Sequence, residues 1–228
     1  ARLAPGQAQR YEKSVHDAGA VTYTFTLREG LRWSDGAPLT AGDFVYAWRR
    51  LAAPATAADY CYLIDMVSGY EAVNSGAAEP AALGVSAPDD RTFVAELTYD
   101  CPYFLEICAF PATLPVREDV VEADPDGWTH DAATYLSNGP YRLAQWRHNS
   151  RIVLERNPSY YAAGGLGPET ITFQLMDDAA AILSAYRSGD LDFIKSVPVD
   201  EIPALLASGD LSVVDQVGTY YVSYNTQR

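Results

Sequence analysis

The run YTFTLREGLRWSDGAPLTAGDFVYAWRRL, residues 23–51, sets two tryptophans, a Ser-Asp-Gly turn and a Thr-x-x-Asp pair between an alternating segment and an apolar stripe. In VTYTFTL (21–27), Tyr23, Phe25 and Leu27 fall on one side and Thr22, Thr24 and Thr26 on the other, the period of a half-buried strand. Ser34-Asp35-Gly36 supplies a turn, with Asp35 accepting from the backbone and Gly36 tolerating positive φ. Thr40 and Asp43 form a capping-box variant, and Phe44, Trp48 and Leu51 recur at i, i+4 and i+7 before Pro54. The run is therefore expected to be strand, turn and capped helix. Catalysis by Ser34 would need a neighbouring base, and no histidine lies near it in sequence.

Outward from this run, YLIDMVSGYEAV (62–73) is expected to be helical, and LGVSAPDDRTFVAEL (83–97) a hairpin turning at Asp89-Asp90. A helix is expected in PYFLEICAF from Pro102, followed by an extended PATLPV (111–116), a candidate crossing between lobes. Two strands, Tyr141–Trp146 and Ile152–Arg156, follow Asn138-Gly139 and end at Asn157-Pro158. ITFQLM, LDFIKS, LSVVDQ and TYYVSYN are then expected as strands, and DAAAILSAYRSG and DEIPALLASG as helices. Gly189 and Gly209 fit the left-handed position past each helix end.

The chain has 228 residues, enough for one large core or two lobes, and 48% hydrophobic and 12% aromatic residues, values of a globular protein. Its 16 Lys and Arg against 30 Asp and Glu give a formal charge of −14, which disfavours nucleic acid as a partner. No apolar run approaches membrane-spanning length. Cys61, Cys101 and Cys108 allow at most one internal disulfide. If CPYFLEIC is helical, Cys101 and Cys108 stand too far apart to bridge, and small buried hydrophobes are the favoured role. His16, His130 and His148 lack metal-ligand spacing, and AAGGLG (162–167) lacks the strand and helix that frame a phosphate loop. The N-terminal ARLAPGQAQRYEK has neither an initiator Met nor the apolar core of a signal peptide, so a fragment is expected.

These segments, in this order, resemble the extracytoplasmic solute-binding proteins of peptide ABC transporters, the oligopeptide- and dipeptide-binding family. The likeness runs from about Pro5 to Asn225 through the opening run, LGVSAPDDRTFVAEL, CPYFLEICAFPATLPV, SNGPYRLAQW, RIVLERNPSYY and YRSGDLDF. It implies an α/β (mixed α+β) fold, periplasmic-binding-protein type II-like, here part of one lobe plus the additional small domain. Residues 1–118 would form that small domain with its crossing segment, and 119–228 part of the first ligand-binding lobe. The opposite lobe and the first lobe's N-terminal strands would lie outside this sequence.

The resemblance further implies ligand contacts. Tyr60 matches a tyrosine that faces the peptide, and Phe110 falls where relatives place a cleft-facing histidine. Gly218, Tyr220 and Tyr221 match the strand beside the bound peptide, with Tyr221 the strongest of them. Adjacent residues of a strand point opposite ways, so one of Tyr220 and Tyr221 is expected to be core. Some relatives carry at the Gly218 position a cysteine bonded across to the other lobe, a bridge that glycine rules out.

The implied function is the substrate-binding subunit of an importer, outside the cytoplasmic membrane, periplasmic or lipid-anchored, delivering oligopeptides to the permease. No catalytic residue, cofactor or metal is expected. Alternatives are the same scaffold binding a glycan, a nickel chelate or an opine, a hydrolase using carboxylates such as Glu106, Asp119 and Asp178, and a purely structural domain.

Overall fold

The computed structural model describes residues 3–215 and 218–226. Packing divides the chain into two compact units, 1–173 and 174–228. In the first, β1 (Ala8–Val15), β2 (Val21–Leu27) and α1 (Ala41–Ala52) precede α2 (Tyr70–Asn74), β3 (Val85–Asp89), β4 (Thr92–Leu97), α3 (Phe104–Cys108) and α4 (Glu118–Ala123). β5 (Tyr141–Arg147), β6 (Arg151–Arg156) and β7 (Thr170–Gln174) follow, and the second unit carries α5 (Ala179–Ser188) and α6 (Ile202–Ser208).

The opening run folds as its pattern dictates. β2 buries Val21, Tyr23, Phe25 and Leu27 and leaves its threonines partly covered. It lies in an antiparallel sheet of order β1-β2-β4-β3, with Phe25 opposite Phe93 on β4. At the start of α1 the Thr40 N–H donates to Asp43 Oδ2 at 2.7 Å, which closes the capping box. Burial raises the Asp43 carboxyl, and the hydrogen bond from the Thr40 backbone opposes it. Trp48 and Leu51 enter the core, joined by Val45 and Ala52, while Phe44 is partly buried against it.

The core is aromatic. Phe104, fully buried, stands 4.7 Å from the Tyr23 ring and 6.0 Å from Trp48, and Trp48 meets Phe93 edge-on at 5.3 Å. β3 and β4 form the expected hairpin, whose turn is fixed by Asp89 accepting from the Arg91 N–H at 2.8 Å and the Thr92 hydroxyl at 2.9 Å. β5, β6 and β7 make a second sheet, in that order. Asn157, completely buried, donates to the Gly139 carbonyl at 2.9 Å and accepts from the Ser159 N–H at 3.0 Å, so one side chain closes the entry and exit of that hairpin.

Several expectations fail for identifiable reasons. Residues 62–73 are not one helix: a 3₁₀ turn at Cys61–Ile64 gives way to Val67 bridged to Leu97, and α2 starts only after Gly69. The bridge is made by the Ser68 N–H on the Glu96 carbonyl at 2.8 Å and the Met66 carbonyl accepting from the Thr98 N–H at 2.9 Å, groups a continuous helix would need. Pro102 lies two residues before α3, and Cys101 is outside the helix. PATLPV is not extended throughout, because Pro111–Thr113 forms a 3₁₀ turn with the Thr113 N–H on the Phe110 carbonyl at 3.0 Å. In the second unit, LDFIKS, the described part of LSVVDQ and TYYVSYN form no strands, while Gln216 lies outside the described residues. Alternation marks a segment as strand-like, but a strand exists only with a hydrogen-bonded neighbour. None of these segments joins a sheet ladder among the described residues. β1, by contrast, was not foreseen, being an edge strand with exposed residues along nearly its whole length and no apolar alternation.

Gly69 holds φ at +77°, and a Cβ there would lie 2.4 Å from the Ala82 carbonyl oxygen. Gly69→Ala is expected to cost about 1–3 kcal/mol of unfolding free energy in a denaturant titration.

Candidate functional site

The conspicuous polar residues of the opening run serve the fold. The Ser34 N–H donates to the Ser137 carbonyl at 2.7 Å, and the Ser34 Oγ accepts from the Ser137 N–H at 3.1 Å. Asp35 accepts from the Ala37 N–H at 3.0 Å and pairs with Arg117 at 3.1 Å. Neither residue is placed for nucleophilic chemistry. The carboxylates of the hydrolase alternative are equally accounted for. Glu106 is exposed on α3, Asp119 is held by the Arg117 Nε at 2.7 Å, and Asp178 caps α5 by accepting from the Ala181 N–H at 2.6 Å. Among the described residues no three His, Cys, Asp or Glu side chains converge as a metal site. Cys61, Cys101 and Cys108 are free thiols, Cys101 fully buried, and burial pushes the Cys108 thiol up to about 12.

Two of the ligand-facing candidates meet. Tyr60 and Phe110, fifty residues apart, hold their rings 5.1 Å apart at 59°, and both are exposed, Tyr60 by 48% and Phe110 by 36%. Tyr62 extends the cluster, its ring 6.2 Å from Tyr60 and 57% exposed. Sequence reasoning missed Tyr62, although the alternation of Tyr60-Cys61-Tyr62-Leu63 carried the signal. Cys61 and Leu63 pack on the core, which turns both tyrosines outward.

The backbone under Phe110 is pinned from inside. The Trp48 Nε1–H donates to the Thr113 carbonyl at 3.0 Å in a buried contact. The Thr113 hydroxyl lies 2.9 Å from the Ile107 carbonyl and 2.8 Å from that of Phe110. Pro111 holds Phe110 in the extended region, at φ −80° and ψ 141°. An exposed ring thus stands on a buried, hydrogen-bonded frame.

The remaining candidates lie in the second unit. Tyr220 and Tyr221 are 98% and 78% exposed, so neither is core, contrary to the alternation expected of a strand. Without strand pairing, nothing forces one of the two rings inward. A Cβ at Gly218 would meet no atom within 4 Å.

Trp48→Phe keeps an aromatic ring beside Phe93 and Phe104 but leaves the Thr113 carbonyl unpaired in the core. An unfolding free-energy loss of about 1–3 kcal/mol is expected by denaturant titration. The hydrogen bond from Arg117 depresses the Asp119 carboxyl below its ordinary 3.8. That stabilisation is present above the unfolded value and disappears as pH falls through the lower folded value. Asp119→Asn should therefore lower Tm slightly at neutral pH, and the gap from the parent should close below pH 3.8 in a melting series.

Comparison with known proteins places this chain in a family. The family described as bacterial extracellular solute-binding proteins, family 5 middle, matches residues 3–228. The chain is 34% identical over 223 residues to the dipeptide-binding protein DppE of Bacillus subtilis, covering 97% of this chain and 40% of that protein. It is also 34% identical over 231 residues to the probable deoxycholate-binding periplasmic protein YgiS of Escherichia coli, covering 100% of this chain and 42% of that one. A crystal structure of Haemophilus influenzae OppA in complex with the peptide RPPGFSPFR superposes with a TM-score of 0.83 at 36% identity, over 91% of this chain and 40% of that one. The chain thus spans about two-fifths of the length of these relatives. It belongs to family 5 of the bacterial extracellular solute-binding proteins.

Proposed function

We propose that this chain contributes one wall of a peptide-binding cleft in the substrate-binding subunit of an ABC importer. The observation that carries the proposal is the exposed Tyr60–Phe110 pair, anchored on the buried Trp48–Thr113 frame, in a chain whose relatives include an OppA crystallised with a nine-residue peptide. A receptor that accepts many sequences must grip what they share and tolerate what differs. Aromatic faces give contact area without demanding one complementary group. Extended peptide backbone is recognised by edge pairing, and within the second unit, taken by itself, Gly218, Tyr220 and Tyr221 form a sterically open, tyrosine-rich segment suited to it.

In this proposal residues 1–118 form the additional small domain and residues 119–228 part of the first lobe. The subunit works outside the cytoplasmic membrane, free in the periplasm or lipid-anchored, and hands its ligand to the permease. Ligand is held and released without a bond being made or broken. The structural roles of Ser34, Asp35, Asp119 and Asp178 support that.

A second solute class has one specific observation behind it, the 34% identity to a probable deoxycholate-binding protein. The apolar convex face of a bile acid, whose hydroxyls lie on the opposite face, would also rest on the rings of Tyr60, Tyr62 and Phe110.

NMR titration of the 228-residue chain with a mixed oligopeptide pool, and separately with deoxycholate below its micellar range, tests both. Saturable shifts are expected around Tyr60 and Phe110 with peptide, with affinity no tighter than about millimolar for so small a share of the cleft. Tyr60→Ala with Phe110→Ala should remove them, while the pool stays chemically intact. Shifts with deoxycholate alone would overturn the peptide assignment, and cleavage of the pool would overturn a binding role.

A further inference from the structure

α1 turns one flank to the core and the other to an open groove of about 660 Å³, within the size range of small-ligand sites. Val45 and Pro80 give it apolar surface, and Arg49, Arg50, Ser86 and Glu118 give it polar groups. The Tyr60–Phe110 pair does not line it.

The Arg49 guanidinium is under-satisfied. Arg49 Nε is buried and has no hydrogen-bond partner among the described residues. Arg49 Nη2 reaches only the carbonyls of Ala81 and Val85, at 3.5 and 3.4 Å, the outer limit of a useful hydrogen bond. Among the described residues neither Arg49 nor Arg50 stands within ion-pair distance of a carboxylate. Lys13, Arg91, Arg117, Arg142 and Arg187 all do. What sets Arg49 apart is its buried Nε without a partner among the described residues, beside a second arginine in the same groove. Tyr46 does not supply the missing charge, since its hydroxyl is bound to Glu122 at 2.8 Å.

We propose that the groove beside α1 is a carboxylate-binding site, in which Arg49 and Arg50 take one carboxylate and Val45 and Pro80 take a short hydrocarbon body. A guanidinium fork matches the two oxygens of a carboxylate. Glu118 on the rim and the chain's charge of −14 select against multiply charged anions such as phosphate esters, which would be repelled where one carboxylate is tolerated. The carboxylate comes either from a free short-chain acid or from an acidic side chain. The site is independent of the peptide-binding proposal.

The test is an NMR titration of the full chain, following the amides of Ser86 and Ala87, with three probes: isovalerate, its neutral isostere isovaleramide, and acetyl-Gly-Glu-Gly-amide. Saturable shifts are expected with isovalerate, the peptide, or both, and none with isovaleramide. Saturation by the acid alone assigns a small-molecule ligand, and saturation by the peptide alone assigns a protein-borne one. Arg50→Gln should weaken binding about tenfold and Glu118→Gln should tighten it, with melting temperatures confirming that both variants fold. The Tyr60→Ala, Phe110→Ala double variant should bind the probes unchanged, which separates this site from the aromatic one. Equal binding of isovaleramide, indifference to Arg49→Gln with Arg50→Gln, or no saturation by about 50 mM in either carboxylate would overturn the proposal.

Discussion

An indole N–H sunk in an apolar core must find an acceptor, and on α1 that donor belongs to Trp48. Its partner, the Thr113 carbonyl at 3.0 Å, comes from the 3₁₀ turn after α3, sixty-five residues downstream. Because the surrounding core is built from Phe93, Phe104 and Tyr23, no water replaces a lost partner cheaply, and the contact fixes where the later segment must lie. Thr113 then carries the constraint outward through the carbonyls of Ile107 and Phe110. One hydrogen bond in the interior therefore governs the position of a ring on the surface.

That arrangement explains how the proposed binding surface can be apolar, exposed and still ordered. Tyr60 and Tyr62 face out because Cys61 and Leu63 face in, and Phe110 faces out because the backbone beneath it is tied to the core. Exposed aromatic area of this kind has a hydration cost that a ligand relieves, while the rigid frame limits the entropy lost on binding. Ser34 pairs with Ser137 and Asp35 with Arg117, so the polar residues most suggestive of catalysis hold segments of the first unit together.

The two flanks of α1 divide the labour of one short helix. Trp48, Leu51 and Ala52 complete the core, while Arg49 and Arg50 line the groove that runs past Val45 and Ser86. A helical period of 3.6 makes this unavoidable: residues adjacent in sequence point about 100° apart, so the Trp48-Arg49-Arg50 run must present buried and solvent-facing groups together.

Period and punctuation in the amino-acid sequence were enough to determine the capped α1, the β3–β4 and β5–β6 hairpins and the glycine-terminated α5 and α6, because each rests on contacts between near neighbours. Alternation marked β2, although its partner β4 lies about seventy residues away. The candidates Tyr60 and Phe110 came from family likeness, and nothing in their spacing announced that their rings meet at 5.1 Å. Tertiary structure alone decided that meeting, the outward turn of Tyr62, and the break of residues 62–73 where Val67 joins Leu97. It also decided that the strand-like runs after Asp190 form no sheet among the described residues, and that both Tyr220 and Tyr221 are exposed. The physical reason is the same throughout: a helix turn satisfies its own backbone, whereas a strand, a buried indole or an aromatic pair is completed only by a partner that local sequence does not name.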